Sequence, residues 1–249
     1  MQGLILAAGF GSRLQPLTNT MPKSLTEING RPLLINALTL LAKNGVDETV
    51  IVVGHMKDKI METIGNDFAG MKITYVENEL YRSTNNVYSF YLAKDYIRDD
   101  TVMLECDLFF CDDLIKCIMS SNADCGILVS PYNRKTMNGT VIEAENGRAK
   151  RLIIKRDQND GFDYTNMLKT VNVYKFKRDF LLDKLFPAVE LYVRTQSVNS
   201  YYELVLGSLI YYGNQDIETV EIDESRWAEV DDADDLAAAE EKFRSRMDS

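Results

Sequence analysis

Apolar residues recur along this chain in short unbroken runs, separated by stretches with helical spacing. Leu4-Ile5-Leu6-Ala7-Ala8, Thr49-Val50-Ile51-Val52-Val53 and Val102-Met103-Leu104 are continuous rather than alternating, as in strands buried on both faces. They predict strands over residues 3–8, 48–53 and 101–105, with a further strand over 72–77. Helices are predicted over 33–44, 56–64 and 86–96, the last with an apolar face at Val87, Phe90, Tyr91 and Ala93. This βαβα alternation implies an α/β fold: a Rossmann-like, mainly parallel mixed sheet with helices on both faces. Ligands of such sheets bind at the carboxyl ends of the strands, so the segments following residues 8 and 105 should open on one cleft.

Beyond residue 125 the apolar runs shorten and polar turns close in. Strands are predicted around 127–129, 139–142 and 171–174, with helices at 191–193, 201–211 and 233–243. No internal repeat or low-complexity linker interrupts the pattern. One domain over 1–249 is expected, with a first half over 1–125 and a second over 126–249.

Composition narrows the classes. An apolar fraction of 45% over 249 residues suffices for one full core. The net charge of -10 opposes nucleic acid and anionic membranes as partners. No apolar run reaches the roughly 18 residues of a membrane span, and the chain opens on a strand rather than a signal peptide, so a soluble cytoplasmic protein is expected. Cys106, Cys111, Cys117 and Cys125 show no Cys-x-x-Cys spacing and no neighbouring histidine; reduced thiols are the expectation. His55, the only histidine, is given no catalytic role.

The candidate chemistry begins where the first strand ends. Gly9 and Gly11 remove Cβ atoms that would block a ligand and permit positive φ, so successive N–H groups can turn toward phosphate oxygens. Arg13 and Lys23 add full charge. The loop matches neither the dinucleotide fingerprint, lacking its third glycine, nor the P-loop. Asp107 is a charge at a strand end amid apolar residues, suited to a divalent ion shared with phosphate oxygens; the alternative is a cap on a helix starting near Asp112. Asp232, Asp234 and Asp235 suit the first turn of the closing helix. Asp231 instead ends a short extended segment after Glu229 and Val230.

The string Leu6-Ala7-Ala8-Gly9-Phe10-Gly11-Ser12-Arg13-Leu14-Gln15-Pro16-Leu17-Thr18, followed by Pro22-Lys23, resembles the signature of nucleotidyltransferases that join a nucleoside triphosphate to a sugar phosphate or alcohol phosphate. Asn85-Asn86-Val87-Tyr88-Ser89 is similar to phosphocholine cytidylyltransferases. Met137-Asn138-Gly139-Thr140-Val141, the segment from Lys169 to Phe176, and Tyr201-Tyr202-Glu203 resemble cytidylyltransferases that activate 2-aminoethylphosphonate. Together these cover nearly the whole chain. The resemblance implies a GT-A-like nucleotidyltransferase fold, with nucleotide bound by the first half and acceptor by the second. It also implies Mg²⁺ as cofactor, and CTP with a small zwitterionic phosphonate or phosphate as partners; a homodimer is left open.

On that resemblance Leu6, Ala7, Ala8, Gly9, Gly11, Ser12, Asn85, Asn86 and Ser89 are expected at the nucleotide. Arg13 is expected at the triphosphate and Lys23 at the α-phosphate. Asp107 and Asp231 are the expected metal ligands, with Glu229 a weaker candidate. Lys169 and Asn172 are expected at the acceptor's anionic end, with Lys155 as the alternative cation, and Tyr201, Tyr202 and Glu203 at its cationic end. Asn138 stands where phosphonate relatives commonly carry aspartate, so a contact made by that charge would change here. Two other readings share the N-terminal signature: a hexose-1-phosphate nucleotidyltransferase, and a non-catalytic nucleotide-sensing subunit.

Overall fold

The strand Gln2–Ala7 is buried at every position and lies within a ten-stranded sheet to which both halves of the chain contribute. Its neighbours run parallel to it: Ile5 lies opposite Ile51 of Glu48–Val53 and opposite Leu104 of Thr101–Glu105. Strands that are apolar on both faces need cover on both sides. In the computed structural model, which describes residues 1–111, 113–213 and 215–244, helices supply it. Leu33–Lys43, Lys57–Ile64 and Leu114–Met119 pack on the face carrying Ile5, Ile51 and Leu104. Asn86–Leu92, Phe186–Thr195 and Tyr202–Tyr212 pack on the face carrying Leu4, Leu6 and Met103.

Across the sheet the order is Val141–Glu145, Arg148–Ile153, Ile217–Glu221, Cys125–Pro131, Leu168–Phe176, Thr101–Glu105, Gln2–Ala7, Glu48–Val53, Met71–Glu77 and Asp67–Phe68. Strands from Thr101–Glu105 through Met71–Glu77 are parallel. Leu168–Phe176 is antiparallel to both of its long neighbours and joins the two halves. Its pairing shifts register between Thr170 and Tyr174, and Asn172 sits there at φ 58°. The helix expected over 86–96 is α-helical only to Leu92 and tightens into a 3-10 turn at Ala93–Tyr96. Arg148–Ile153 and Ile217–Glu221 were not expected from the pattern, because Arg148, Lys150, Arg151, Glu218 and Glu221 break the apolar runs. Among the described residues no helix is long and apolar enough to cross a membrane.

A small second sheet sets up the cleft. Leu108–Phe110 pairs antiparallel with Trp227–Glu229, so that Trp227 faces Phe110 and Glu229 faces Leu108. The Val230 N–H then donates to the Asp107 carbonyl at 2.9 Å, which places Asp107 beside Asp231. Leu108, Phe109, Phe110 and Trp227 are all buried and fix this ribbon from below. Asp107 therefore belongs to the ribbon and does not cap a helix; Asp112 lies outside the described residues.

Gly54 ends the strand Glu48–Val53 against the glycine loop. A Cβ there would lie 2.8 Å from both the Ala8 carbonyl oxygen and Tyr81 Cβ. Backbone cannot yield as a flexible side chain does, so Gly54→Ala is expected to destabilise the fold by about 1–3 kcal/mol. Urea denaturation checks this; an unchanged midpoint would show that the approach is not constrained.

Candidate active site

The carboxyl ends of the central strands open on a cleft of about 780 Å³. At one end the loop after Gln2–Ala7 turns through Gly11, at φ 67°, into the short turn Ser12–Leu14. A Cβ on Gly11 would come within 2.9 Å of Lys23 Cβ, so this glycine allows the loop to lie against the lysine. Thr18 Oγ1 closes the loop by donating to the Gly11 carbonyl at 2.8 Å.

Lys23 Nζ stands 2.8 Å from Asp107 Oδ2 and 2.8 Å from Asp231 Oδ1, and Arg13 reaches the same Asp231 oxygen at 2.8 Å. The Lys23 and Asp107 side chains are only 12% and 13% exposed. Burial works against the Lys23 charge, but Asp107 and Asp231 outweigh it and hold the ammonium above its usual range. Burial likewise pushes Asp231 up, and Lys23 and Arg13 overcome it to leave that carboxyl below its usual range.

One oxygen of this cluster is unsatisfied: Asp107 Oδ1 is buried without a hydrogen-bond partner. Among the described residues no group of three or more His, Cys, Asp or Glu forms a metal cage. Two neighbouring aspartates with one orphaned oxygen suit Mg²⁺ that completes its shell with phosphate oxygens and water.

The other end of the cleft is differently charged. Lys169 Nζ, almost fully buried, pairs with Glu229 at 3.1 Å and donates to the Thr170 carbonyl at 2.8 Å. Asn172 Nδ2 donates to Glu229 at 3.1 Å, and its Oδ1 accepts from Thr170 Oγ1. The shifted register of Leu168–Phe176 thus turns both side chains into the cleft. Glu105 and Glu203 lie alongside. Burial, then the neighbouring Glu203 charge, raises Glu105 well above the carboxylate range; burial also raises Glu203, against its hydrogen bonds and the pull of Lys169. Glu229 is raised by burial, against the pull of Lys169.

Most of the expected site residues come together here. Leu6, Ala8, Gly9, Gly11, Ser12, Arg13, Lys23, Asn85, Asn86, Ser89, Asp107, Asp231, Lys169, Asn172, Tyr201 and Glu203 line this one cleft, as does Lys155. Two do not. Ala7 faces the helix-covered core on the far side of its strand. Tyr202 corrects the expectation of a second ring face at the acceptor: it is fully buried against Phe90 and Tyr174, and only its hydroxyl reaches the site, donating to Glu105 at 2.9 Å. Asn85 caps its helix by accepting from the Asn86 N–H, and buried Ser89 accepts from Asn78. Glu105 was missed, although it sits two positions before Asp107 at the same strand end, the spacing that places side chains on one face. His55 packs its ring 4.4 Å from Phe10 beneath the glycine loop; burial, with Arg82 second, lowers its pKa. Cys106, Cys117 and Cys125 are in no disulfide.

A family profile described as nucleotidyl transferase matches residues 2–245. The chain is 34% identical over 244 residues to CMP-5'-(3-aminopropyl)phosphonate synthase of Streptomyces rubellomurinus, covering 98% of this chain and 39% of that one. It thus spans about two fifths of that relative's length. It is 35% identical over 113 residues to 2-aminoethylphosphonate cytidylyltransferase of Lancefieldella rimae, covering 45% of each. The CTP:phosphocholine cytidylyltransferase from Streptococcus pneumoniae has the same fold, with a TM-score of 0.75, 21% identity, and coverage of 96% of this chain and 97% of that one.

The raised Glu203 carboxyl has a consequence for the ligand-free protein. A carboxyl whose folded pKa lies above its unfolded value of about 4.3 contributes stability below that pH, and the contribution is lost as pH rises through the folded pKa. Glu203→Gln should therefore stabilise the ligand-free protein increasingly as pH rises above the unfolded value. Thermal melts at increasing pH check it; a difference independent of pH, or a less stable variant at the upper end, would contradict it.

Proposed function

The chain belongs to the nucleotidyl transferase family, and on that premise we propose that it transfers CMP from CTP to a small zwitterionic phosphonate or phosphate, releasing pyrophosphate. The favoured acceptor is 2-aminoethylphosphonate or a close aminoalkyl homologue, with phosphocholine next. One observation carries the reading: a single cleft holds Lys23 with Asp107 and Asp231 beside the glycine loop, and is lined as well by Glu203 and by Lys169 paired with Glu229. The activities for which the relatives are named support the choice of CTP and of an aminophosphonate.

In this reading an acceptor oxygen attacks the α-phosphorus of CTP in line. The new O–P bond forms as the bond to the β-phosphate breaks, and the electron pair leaves with pyrophosphate. The attacking oxygen is already anionic near neutral pH, so no strong base is needed and the barrier is the meeting of two anions. Catalysis is then positioning and charge neutralisation. The turned N–H groups of the loop, with Leu6, Ala8, Gly9, Gly11 and Ser12, seat the nucleotide, and Asn85 and Ser89 face it across the cleft. Arg13 steadies the triphosphate. Lys23 meets charge developing between the α-phosphate and the leaving group. Mg²⁺, held by Asp107 and Asp231, would offset the negative charge of the triphosphate. Lys169 and Asn172 orient the acceptor's anionic end, and Tyr201 and Glu203 its amine.

Three outcomes follow. Binding calorimetry with each ribonucleoside triphosphate should show CTP preferred, and preference for a purine nucleotide would sink the assignment. Lys23→Ala should cut turnover on the order of a hundredfold or more while weakening CTP binding much less. Steady-state rates checked against CTP titrations separate the two effects. Asp107→Asn and Asp231→Asn should each abolish metal-stimulated pyrophosphate release; if Asp231→Asn keeps the parent Mg²⁺ response, Glu229 or Asp232 is the ligand instead.

A further inference from the structure

Asn86 stands where a base-reading amide was expected, yet both ends of its amide are already engaged. Its Nδ2 donates to Glu105 Oε1 at 3.1 Å and to Glu203 Oε2 at 3.3 Å, and its Oδ1 accepts from the Tyr202 N–H at 3.1 Å. That pattern leaves no N–H of the amide for a pyrimidine edge. Asn86 instead holds together two carboxylates that would otherwise repel each other. Tyr202 Oη braces Glu105 at 2.9 Å and Thr140 Oγ1 braces Glu203 at 3.4 Å.

A count of charge says what this arrangement lacks. Five carboxylates line the cleft: Glu105, Asp107, Glu203, Glu229 and Asp231. Lys23 serves Asp107 and Asp231, Arg13 serves Asp231, and Lys169 serves Glu229. Among the described residues no lysine or arginine nitrogen lies within ion-pair distance of Glu105 or Glu203. Lys169, already paired with Glu229, offsets the Glu203 charge only in part; enclosed carboxyls short of a counter-ion are costly, and these two open on the cleft.

Building on the acceptor reading above, we propose that Asn86 and Glu105 belong to the acceptor end of the cleft. There, with Glu203, they seat the acceptor's ammonium and select a primary ammonium over a trimethylammonium. Glu105 is the specificity-determining residue and Asn86 the positioning residue. A primary ammonium offers three N–H donors that can be shared between two carboxylates. A trimethylammonium has no donor and is held by ring faces, and with Tyr202 in the core Tyr201 alone of that tyrosine pair lines the cleft.

The test is steady-state kinetics with CTP and three acceptors: 2-aminoethylphosphonate, phosphocholine and ethylphosphonate, which lacks the amine. Glu105→Gln is nearly isosteric and should fold. In it, the ratio of kcat/KM for 2-aminoethylphosphonate over ethylphosphonate should fall roughly 10- to 100-fold, and the preference over phosphocholine should shrink. Asn86→Ala should raise the acceptor KM far more than the CTP dissociation constant measured by calorimetry. If Asn86→Ala weakens CTP as much as the acceptor, the amide serves the nucleotide and the proposal falls. It also falls if Glu105→Gln lowers activity on aminated and amine-free acceptors alike. A wild-type protein that releases no pyrophosphate from CTP with any acceptor would instead overturn the cytidylyltransferase reading on which the proposal rests.

Discussion

Two aspartates cannot share a mostly enclosed cleft unless a cation stands between them. Lys23 is that cation, 2.8 Å from each, and much of the architecture serves to deliver it. The turn after Pro22 carries it, Gly11 leaves room for its stem, and the ribbon of Leu108–Phe110 with Trp227–Glu229 brings Asp107 and Asp231 together from distant parts of the sequence. Electrostatics decides this arrangement more than burial does, since the carboxylates hold the ammonium charged despite the cost of removing it from water.

That cluster shows how a chain of net charge -10 can still gather cations in its cleft. Basic groups are gathered at one wall of the cleft, where Arg13 and Lys23 stand beside the glycine loop. The same cleft is lined by Glu105, Glu203 and Glu229, whose burial works against their charged forms. Net charge governs long-range encounter, whereas recognition is fixed by the local arrangement within a Debye length.

The sequence made the parallel core legible, because continuous apolar runs permit few readings. Strand 48–53 and helix 233–243 fall where the pattern predicts them. Glycine and charge spacing likewise pointed to the loop that lines the cleft. What stayed hidden depends on partners distant in sequence. Leu108–Phe110 is too short to announce itself, and only its pairing with Trp227–Glu229 makes it a strand. Arg148–Ile153 carries charges on its exposed positions and so lacks an apolar run. Tyr202 and Asn86 were placed on the ligand because their side-chain chemistry suited it. The fold spends the Tyr202 ring on the core and both ends of the Asn86 amide on protein groups.

Asn172 shows how tightly backbone and chemistry are tied at such a position. Its φ of 58° lies where few side chains other than asparagine, aspartate and glycine are at ease. Its amide is also what steadies Glu229. Glycine would keep the chain path and lose the tether, aspartate would set a second negative charge against Glu229, and glutamine or serine would lose the backbone preference. Conformation and hydrogen bonding, satisfied elsewhere in the sheet by different residues, here fall on one side chain. A substitution at this position therefore gives up either the backbone preference or the tether to Glu229.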